Sequence, residues 1–232
     1  MTLPLLCLLL GALPEPGLSD GVPRSFSPAG VTSRIAAQPR QASPLTRPAQ
    51  GRLLVARRSV GDSRFAETVI LLIAYSDEGA MGVIINRPTP VRLAAALPKM
   101  KELRDRPERV FVGGPVSPNA MLLLIRAGTK PDGAQPVFEN VYVSGSLKTL
   151  RKALGQRGKT NRLRAYAGYA GWGPGQLDHE VERGDWLIGP ADAAIVFEMP
   201  SADVWPKLVE RFAVEWARRE ANEQDALVVD SR

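Results

Sequence analysis

The chain has 232 residues, enough for one domain of ordinary size with extensions or for two small domains at most. Its 30 lysines and arginines outnumber its 24 aspartates and glutamates, which gives a formal net charge of +6. One cysteine and one histidine exclude an intramolecular disulfide and most zinc sites, so we predict neither a metal site nor a cofactor.

The first 45 residues (1–45) are predicted to be a disordered N-terminal extension. Residues 14–50 contain seven prolines and several serines and glycines, a composition that buries too little apolar surface to offset the entropy of ordering. Residues 3–13 are apolar but too few to span a bilayer as a helix. Three interpretations stay open: a weak targeting or secretion signal, an interaction arm, or a start codon assigned too far upstream.

The folded domain is predicted over residues 46–218 and opens with three strands. Buried-strand patterns cover residues 53–56, 68–75 and 81–86. The sequence Asp77-Glu78-Gly79 between the second and third patterns is typical of a hairpin turn. Pro88 then ends the third strand, because proline has no N–H to donate to a ladder.

Helices and strands alternate irregularly in the rest of the domain. Strands are predicted at 110–112, 121–126, 141–144 and 162–169, and helices at 91–100, 146–154 and 202–219. Shorter elements are predicted near 175–181, 186–188 and 191–197, and a flexible tail over 219–232. Because the hairpins come early and the helices are irregularly spaced, we predict an α+β fold: a single compact domain with a mixed, largely antiparallel β-sheet and flanking helices.

Two pairs of residues at predicted strand ends are candidate binding residues. Asn86 and Arg87 supply oriented hydrogen-bond donors, which are typical of ligand sites. Equally, Asn86 can satisfy main-chain groups in the turn and Arg87 can pair with a neighbouring acid. Gly113 and Gly114 favour a tight bend, and main-chain N–H groups that bind an anion are the alternative.

The stretch from Gly168 to Leu177 contains four glycines, a proline and two aromatic residues. Because glycine loses more backbone freedom on folding than any other residue, this composition predicts a sharply shaped loop. Trp172 can fill an apolar gap there, or it can stack on a ligand together with Tyr169. The candidate binding residues of this stretch are Gly171, Trp172, Gly173 and Gln176, and no catalytic residue is predicted.

A basic stretch precedes and enters this glycine-rich segment. From Asn140 to Leu177 the sequence has neither aspartate nor glutamate. Such a stretch can attract nucleic acid, although it is more often a solvated face balanced by acids from elsewhere in the fold. The cations of this candidate patch are Lys148, Arg151, Lys152, Arg157, Lys159, Arg162 and Arg164.

Several blocks of the sequence, taken in order, resemble one protein family. They are GRLLVA at 51–56, EGAMGVIINRP at 78–88, GGPV at 113–116 and GYAGWGPGQL at 168–177, followed by Trp186 and by PAD at 190–192. Their joint occurrence resembles the bacterial AlgH/YqgE family over nearly the whole predicted domain. The first 45 residues have no usual counterpart in that family.

The resemblance implies a compact α+β cytoplasmic protein without an established enzymatic activity, and some members of the family carry the label of transcriptional regulator. The leading hypothesis is therefore a non-enzymatic regulatory protein that binds an unknown protein or small molecule. One alternative is a nucleic-acid-binding transcriptional regulator that uses residues 148–164. The other is an enzyme that uses anion sites in the glycine loops.

Overall fold

Ten β-strands and five α-helices form the part of the chain that this computed structural model describes, residues 47–155 and 162–229. The strands are β1 (Arg52–Ala56), β2 (Val69–Ser76), β3 (Gly79–Ile84), β4 (Pro88–Arg92), β5 (Arg109–Val112), β6 (Val116–Arg126), β7 (Gln135–Phe138), β8 (Val141–Ser144), β9 (Arg162–Trp172) and β10 (Trp186–Pro190). The helices are α1 (Leu93–Ala96), α2 (Leu147–Gly155), α3 (Gln176–Glu182), α4 (Ala193–Phe197) and α5 (Ser201–Val229), and a 3-10 helix covers Lys101–Leu103.

The strands join one sheet, in which hydrogen-bonded neighbours follow the order β10-β1-β2-β3-β9-β6-β8-β7. Strand β5 lies parallel to β9, with Phe111 opposite Tyr166, and β4 pairs with β5. The other pairs of described strands are antiparallel; in β1 and β2, for example, Leu54 lies opposite Ile70. The predicted α+β domain with a mixed, largely antiparallel sheet is therefore confirmed.

The long strand β9 lies at the centre of this sheet. One edge of β9 pairs with β6, and its other edge pairs first with β5 and then with β3. Gly168 lies where these neighbours change, and its φ of 70° is left-handed, a conformation that glycine adopts without strain. In a regular strand, residues on the same face are separated by an even number of positions. Tyr166 and Tyr169 are three positions apart, yet both pack into the same core cluster. The alternation of side chains therefore shifts at Gly168.

Apolar side chains are buried on both faces of the sheet. In β1, Leu53 and Val55 pack into one cluster, whereas Leu54 and Ala56 pack into a second cluster on the opposite face. Helices α4 and α5 cover the first face. On the opposite face, α1 and α2 cover one cluster and α3 covers another. Burial on both sides explains why β1 and most of β2 are continuous apolar runs in the sequence.

Two strands, β4 and β7, were not predicted, and the predicted helix at 91–100 is wrong in its extent. Only Leu93–Ala96 is α-helical. Pro98 explains the early end, because a proline disfavours helical backbone at the residue before it. Strand β4 contains Pro88 and Pro90 and pairs only with β5, as expected for proline in an edge strand.

The predicted loop from Gly168 to Leu177 is also shorter than expected. Residues 168–172 belong to β9, the turn covers 173–175, and α3 begins at Gln176. Residues 117–119, which lie between two predicted strands, belong to β6, where its pairing with β9 is irregular between Val116 and Met121. In both places, residues that are typical of loops lie in a strand with a β-bulge.

Helix α5 begins close to its predicted start and continues to Val229, beyond the predicted end at residue 219. The predicted extension over residues 1–45 lies outside the described residues. Across 47–155 and 162–229, no helix combines the length and the apolar character needed to cross a membrane.

Candidate functional site

Asn86 fixes the end of an exposed segment that joins β1 to β2, residues 57–68, which we call the 57–68 loop. The Asn86 side chain accepts a hydrogen bond from the Val69 N–H and donates one to the Glu67 carbonyl oxygen, both at 2.9 Å. Glu67 has a φ of 55°, a left-handed conformation that is uncommon for a residue with a side chain. Asn86 therefore stabilises a strained position of the loop.

Arg87 binds the same loop. Its guanidinium donates hydrogen bonds to the carbonyl oxygens of Arg64, at 2.6 Å, and Ala66, at 3.0 Å. These partners are main-chain carbonyls rather than the neighbouring acid considered from the sequence. The structure thus brings two of the predicted site residues, Asn86 and Arg87, to a single loop.

Phe65 anchors the loop in an aromatic cluster. Its ring stacks on Trp172, with 6.4 Å between centroids and 20° between the planes, and meets Trp186 edge-on at 5.9 Å. Trp172 is only 7% exposed, so its ring fills the core as in the first of the two interpretations of this residue. Because Phe65 lies between the two residues that Arg87 binds, the loop links Arg87 to Trp172.

A single carboxylate, that of Glu180 in α3, organises the polar edge of this cluster. Its Oε2 accepts hydrogen bonds from the indole N–H groups of both Trp172 and Trp186, each at 2.9 Å. Its Oε1 accepts a bond from the Gln176 amide at 3.0 Å, and the Gln176 oxygen accepts one from the Gly173 N–H at 3.1 Å. The candidate residues Trp172, Gly173 and Gln176 therefore belong to one hydrogen-bonded network.

Tyr75 attaches the start of α3 to β2. Its hydroxyl donates a hydrogen bond to Asp178 Oδ1 at 2.7 Å. Burial raises the pKa of Tyr75 to about 12, and the bond to Asp178 adds to the effect because it stabilises the neutral phenol. The phenol is therefore a hydrogen-bond donor throughout the physiological pH range.

Gly113 and Gly114 pack against β9 at its bulge. A Cβ atom on Gly113 would lie 2.2 Å from the Gly168 carbonyl oxygen, and one on Gly114 would lie 2.2 Å from the Tyr169 carbonyl carbon. The Gly113 N–H donates to the Ala167 carbonyl oxygen at 2.8 Å. The pair thus forms the tight bend expected from the sequence, and the N–H of Gly113 is used within the fold. Gly171 is exposed in β9, next to the Tyr169 ring.

The basic stretch divides between the two faces of the sheet. Leu150 of α2 shares a core cluster with Leu163 of β9, which places α2 on that face. Arg164 has the opposite orientation, with its guanidinium 4.6 Å from the centroid of the Phe111 ring. The described cations of α2 and of β9 therefore do not form one continuous surface.

Acidic residues accompany the cations of α2. Lys152 pairs with Asp132 at 2.7 Å, and Arg151 pairs with Glu102 at 3.2 Å. These two ion pairs are exposed, so they contribute little to stability. Lys148 is exposed on the same helix, while Arg157 and Lys159 lie outside the described residues.

Phe65 and Glu180 connect the candidate residues, and the sequence analysis did not select either of them. A lone aromatic residue in the polar 57–68 loop is a signal for Phe65. Glu180 gives no comparable signal, because it is one of several charged residues in α3. Within the described ranges, no group of three or more His, Cys, Asp or Glu side chains is placed to hold a metal ion.

The topology and these contacts define an α+β protein built on one long bulged strand, with glycines where the residues after β5 pass close to this strand. The chain belongs to the AlgH-like family DUF179, whose model matches residues 53–217. The resemblance seen in the sequence blocks is thereby confirmed.

Three known proteins illustrate the similarity. A UPF0301 protein of Streptomyces avermitilis is 39% identical over 170 residues, covering 69% of this chain and 85% of the relative. A crystal structure of a Corynebacterium diphtheriae protein is similar with a TM-score of 0.62 and 28% identity, over 71% of this chain and 87% of that one. The solution structure of the AlgH protein from Pseudomonas aeruginosa has a TM-score of 0.59 and 28% identity, over 74% and 92%.

Proposed function

We propose that the protein is a non-enzymatic regulatory protein of the cytoplasm that binds a protein or small-molecule partner through the 57–68 loop. The observation that supports this proposal is that the side chains of Asn86 and Arg87 hold the loop in one conformation. Their side chains bind three of its carbonyl oxygens, those of Arg64, Ala66 and Glu67. Loops held by a rigid scaffold are common sites of recognition.

The 57–68 loop is exposed, and hydrogen bonds within it stabilise its conformation. Asp62 accepts hydrogen bonds from the Arg64 main-chain N–H at 2.9 Å and from its guanidinium at 2.7 Å, and the Arg64 guanidinium lowers the pKa of this carboxyl. The side chains of Arg58, Arg64 and Glu67 are exposed. A surface that is already ordered loses less conformational entropy when it binds, so these charged side chains are suited to contact a partner.

Native co-purification with the full chain tests the proposal, followed by identification of the bound proteins and small molecules. Two variants probe the loop. Arg87→Ala removes two hydrogen bonds that hold the loop. Glu67→Gln changes the surface charge of the loop but keeps the hydrogen bond to the Glu67 carbonyl oxygen. We expect both to reduce recovery of a specific partner. Lys152→Ala is the control, since Lys152 is exposed in α2 and pairs with Asp132, outside the loop.

The same partners recovered in equal amounts with both loop variants would contradict the proposal. A purified partner also allows a direct measurement. Because Trp172 contacts Phe65 of the loop, its fluorescence is expected to change on binding to the wild-type chain. An unchanged signal with every partner recovered would place binding elsewhere.

A further inference from the structure

A pocket with four arginines in its lining lies where β5 and β9 begin. Arg109 is the first residue of β5 and Arg162 the first of β9. The two strands are parallel, and Phe111 and Tyr166 lie opposite each other on the face that α4 covers. Since side chains alternate along a strand, Arg109, Arg162 and Arg164 lie on that same face.

The space between these side chains and Phe197 of α4 is a pocket of about 520 Å³, which we call the arginine pocket. Its volume falls within the range of about 300–1,000 Å³ that is typical of small-molecule sites. Four apolar residues supply part of the wall, and charged residues line the rest; the apolar ones are Pro107, Phe111, Leu163 and Phe197.

The positive charges of the pocket are only partly balanced. Among the described residues, its lining contains four arginines, Arg106, Arg109, Arg162 and Arg164, and one carboxylate, Glu108. Glu108 is already bound by Arg106, whose Nη2 and Nε lie 2.5 and 3.0 Å from its Oε1. The other three arginines have no carboxylate partner among the residues that the structure describes.

The nearby ion pair of Arg126 and Glu198 does not change this balance. Arg126 lies opposite Arg162 in the β6–β9 pairing, and its guanidinium is 3.1 Å from the Glu198 carboxylate. Each of these two charges therefore neutralises the other. The excess positive charge remains with Arg109, Arg162 and Arg164.

Two of these arginines are held in position by the fold. Arg164 donates to the Ile85 carbonyl oxygen at 3.0 Å and lies over the Phe111 ring. Arg109 donates to the Pro90 carbonyl oxygen at 2.7 Å. A guanidinium has five N–H donors, so one bond to a carbonyl leaves others for a ligand. Holding the cations in place beforehand lowers the entropy lost on binding.

We propose that the arginine pocket binds the phosphoryl group of a small anionic molecule. The planar fork of arginine matches the oxygens of a phosphoryl group and forms charge-assisted hydrogen bonds with them. Phe197, which is half-buried, provides apolar contact for the remainder of the ligand. This site is separate from the proposed partner surface, because its arginines do not include Arg87, which binds the 57–68 loop.

A small ligand fits the observations better than a nucleic-acid strand does. Binding of a strand relies on a groove or stripe of cations that follows many phosphates. Here the cations converge on one concave pocket, and the described cations of α2 lie on the opposite face of the sheet. The pocket therefore suits one or two phosphoryl groups.

Isothermal titration calorimetry of the full chain with inorganic pyrophosphate tests the proposal. Arg162→Gln is the informative variant, since Arg162 is exposed and its side chain makes no hydrogen bond or ion pair with another described residue. Loss of a charged hydrogen-bond partner is expected to weaken pyrophosphate binding by about tenfold or more. The double variant Arg109→Gln, Arg162→Gln is expected to weaken it further.

Arg183→Gln is the matched control, because it removes one exposed arginine outside the pocket. Tryptophan fluorescence and urea denaturation verify that each variant is folded. The proposal is overturned if pyrophosphate gives no binding at millimolar concentration and low salt. It is also overturned if the control weakens binding as much as Arg162→Gln, or if a single-stranded oligonucleotide binds more tightly and pyrophosphate does not displace it.

Discussion

Gly168 lies against Gly114 so closely that a Cβ atom on Gly168 would be 2.5 Å from the Gly114 carbonyl oxygen. Real Cβ atoms do not approach a carbonyl oxygen to this distance, so only glycine allows the contact. Two blocks that are far apart in the sequence meet at this point, where β9 changes its neighbour from β5 to β3. This crossing of the main chain explains Gly113 and Gly114 in the first block and Gly168 in the second.

Gly168→Ala is expected to destabilise the protein strongly. The φ of 70° is left-handed, which costs a residue with a Cβ atom about 1–2 kcal/mol. Overpacking against the Gly114 carbonyl oxygen adds about 1–3 kcal/mol. We therefore expect the free energy of unfolding, measured by urea denaturation, to fall by about 2–5 kcal/mol.

Gly128→Ala is the matched control for this variant. A Cβ atom on Gly128 would have nothing within 4 Å, and its φ is not left-handed. The change in unfolding free energy should therefore stay within about 0.5 kcal/mol. Similar losses for the two variants would show that the contact with Gly114 is not what requires glycine at position 168.

Glu180→Gln is expected to loosen the aromatic cluster. The carboxylate accepts from both indoles through Oε2 and from Gln176 through Oε1, whereas an amide presents an NH₂ donor at one of these positions. The new amide N–H would then face either the indole N–H groups or the Gln176 amide N–H, and neither can accept a hydrogen bond. We expect a loss of about 1–3 kcal/mol in unfolding free energy, together with a change in tryptophan emission.

Glu182→Gln provides the comparison on the same helix. Glu182 is an exposed residue at the end of α3. Its substitution removes the same charge without touching the indoles, so stability and tryptophan emission should remain close to those of the wild type. If the two variants behaved alike, the effect would come from net charge rather than from hydrogen bonds to Trp172 and Trp186.

Much of the fold follows from local sequence pattern. Leu53 to Ala56 and the longer run of β2 are apolar on both faces, and this pattern predicts buried strands whatever their neighbours are. The order of the strands does not follow from such patterns. It depends on long-range pairing, such as the parallel contact of Val110 with Ala165, for which a single sequence has no local signal.

The candidate site was predictable at the level of residues but not at the level of contacts. Asn86 and Arg87 were identified as oriented hydrogen-bond donors at a strand end, and in the structure they donate to carbonyl oxygens of the 57–68 loop. The loop itself has an ordinary polar composition and was not selected. The arginine pocket was missed for a similar reason, since Arg109 and Arg162 meet only through strand pairing.

Stability should fall at high pH in part because of Tyr75. The pKa of Tyr75 is raised to about 12 by burial and by the bond to Asp178, from about 10 in the unfolded chain. A pKa that is higher in the folded state means that the stabilisation is fully present below about pH 10 and is lost as the pH rises to about 12.

Tyr75→Phe isolates this contribution. Without the hydroxyl, the decline in unfolding free energy between about pH 10 and pH 12 should be shallower than in the wild type, as measured by urea denaturation at each pH. Burial raises the pKa of Tyr166 to about 12 as well, but Tyr166 is present in both proteins and cancels in the comparison. Identical slopes would show that Tyr75 does not titrate differently in the folded state.

Because Arg87 holds the 57–68 loop through two hydrogen bonds, its removal should make the loop open more often. The loop contains Arg57, Arg58 and Arg64, so trypsin can cleave it once it leaves its folded conformation. Cleavage follows the population of the open form when opening and closing are fast. A hydrogen bond to a charged group contributes about 1.5–3 kcal/mol, so Arg87→Ala should raise the cleavage rate in the loop at least about tenfold.

Arg87→Lys and Arg211→Ala distinguish the cause of this effect. Lysine keeps the charge but lacks the planar fork, so it should restore protection only in part. Arg211 is an exposed residue of α5, and its removal should leave cleavage of the loop unchanged. Full protection in Arg87→Ala, with mass spectrometry locating each cut, would mean that Phe65 and Asn86 hold the loop closed without the guanidinium.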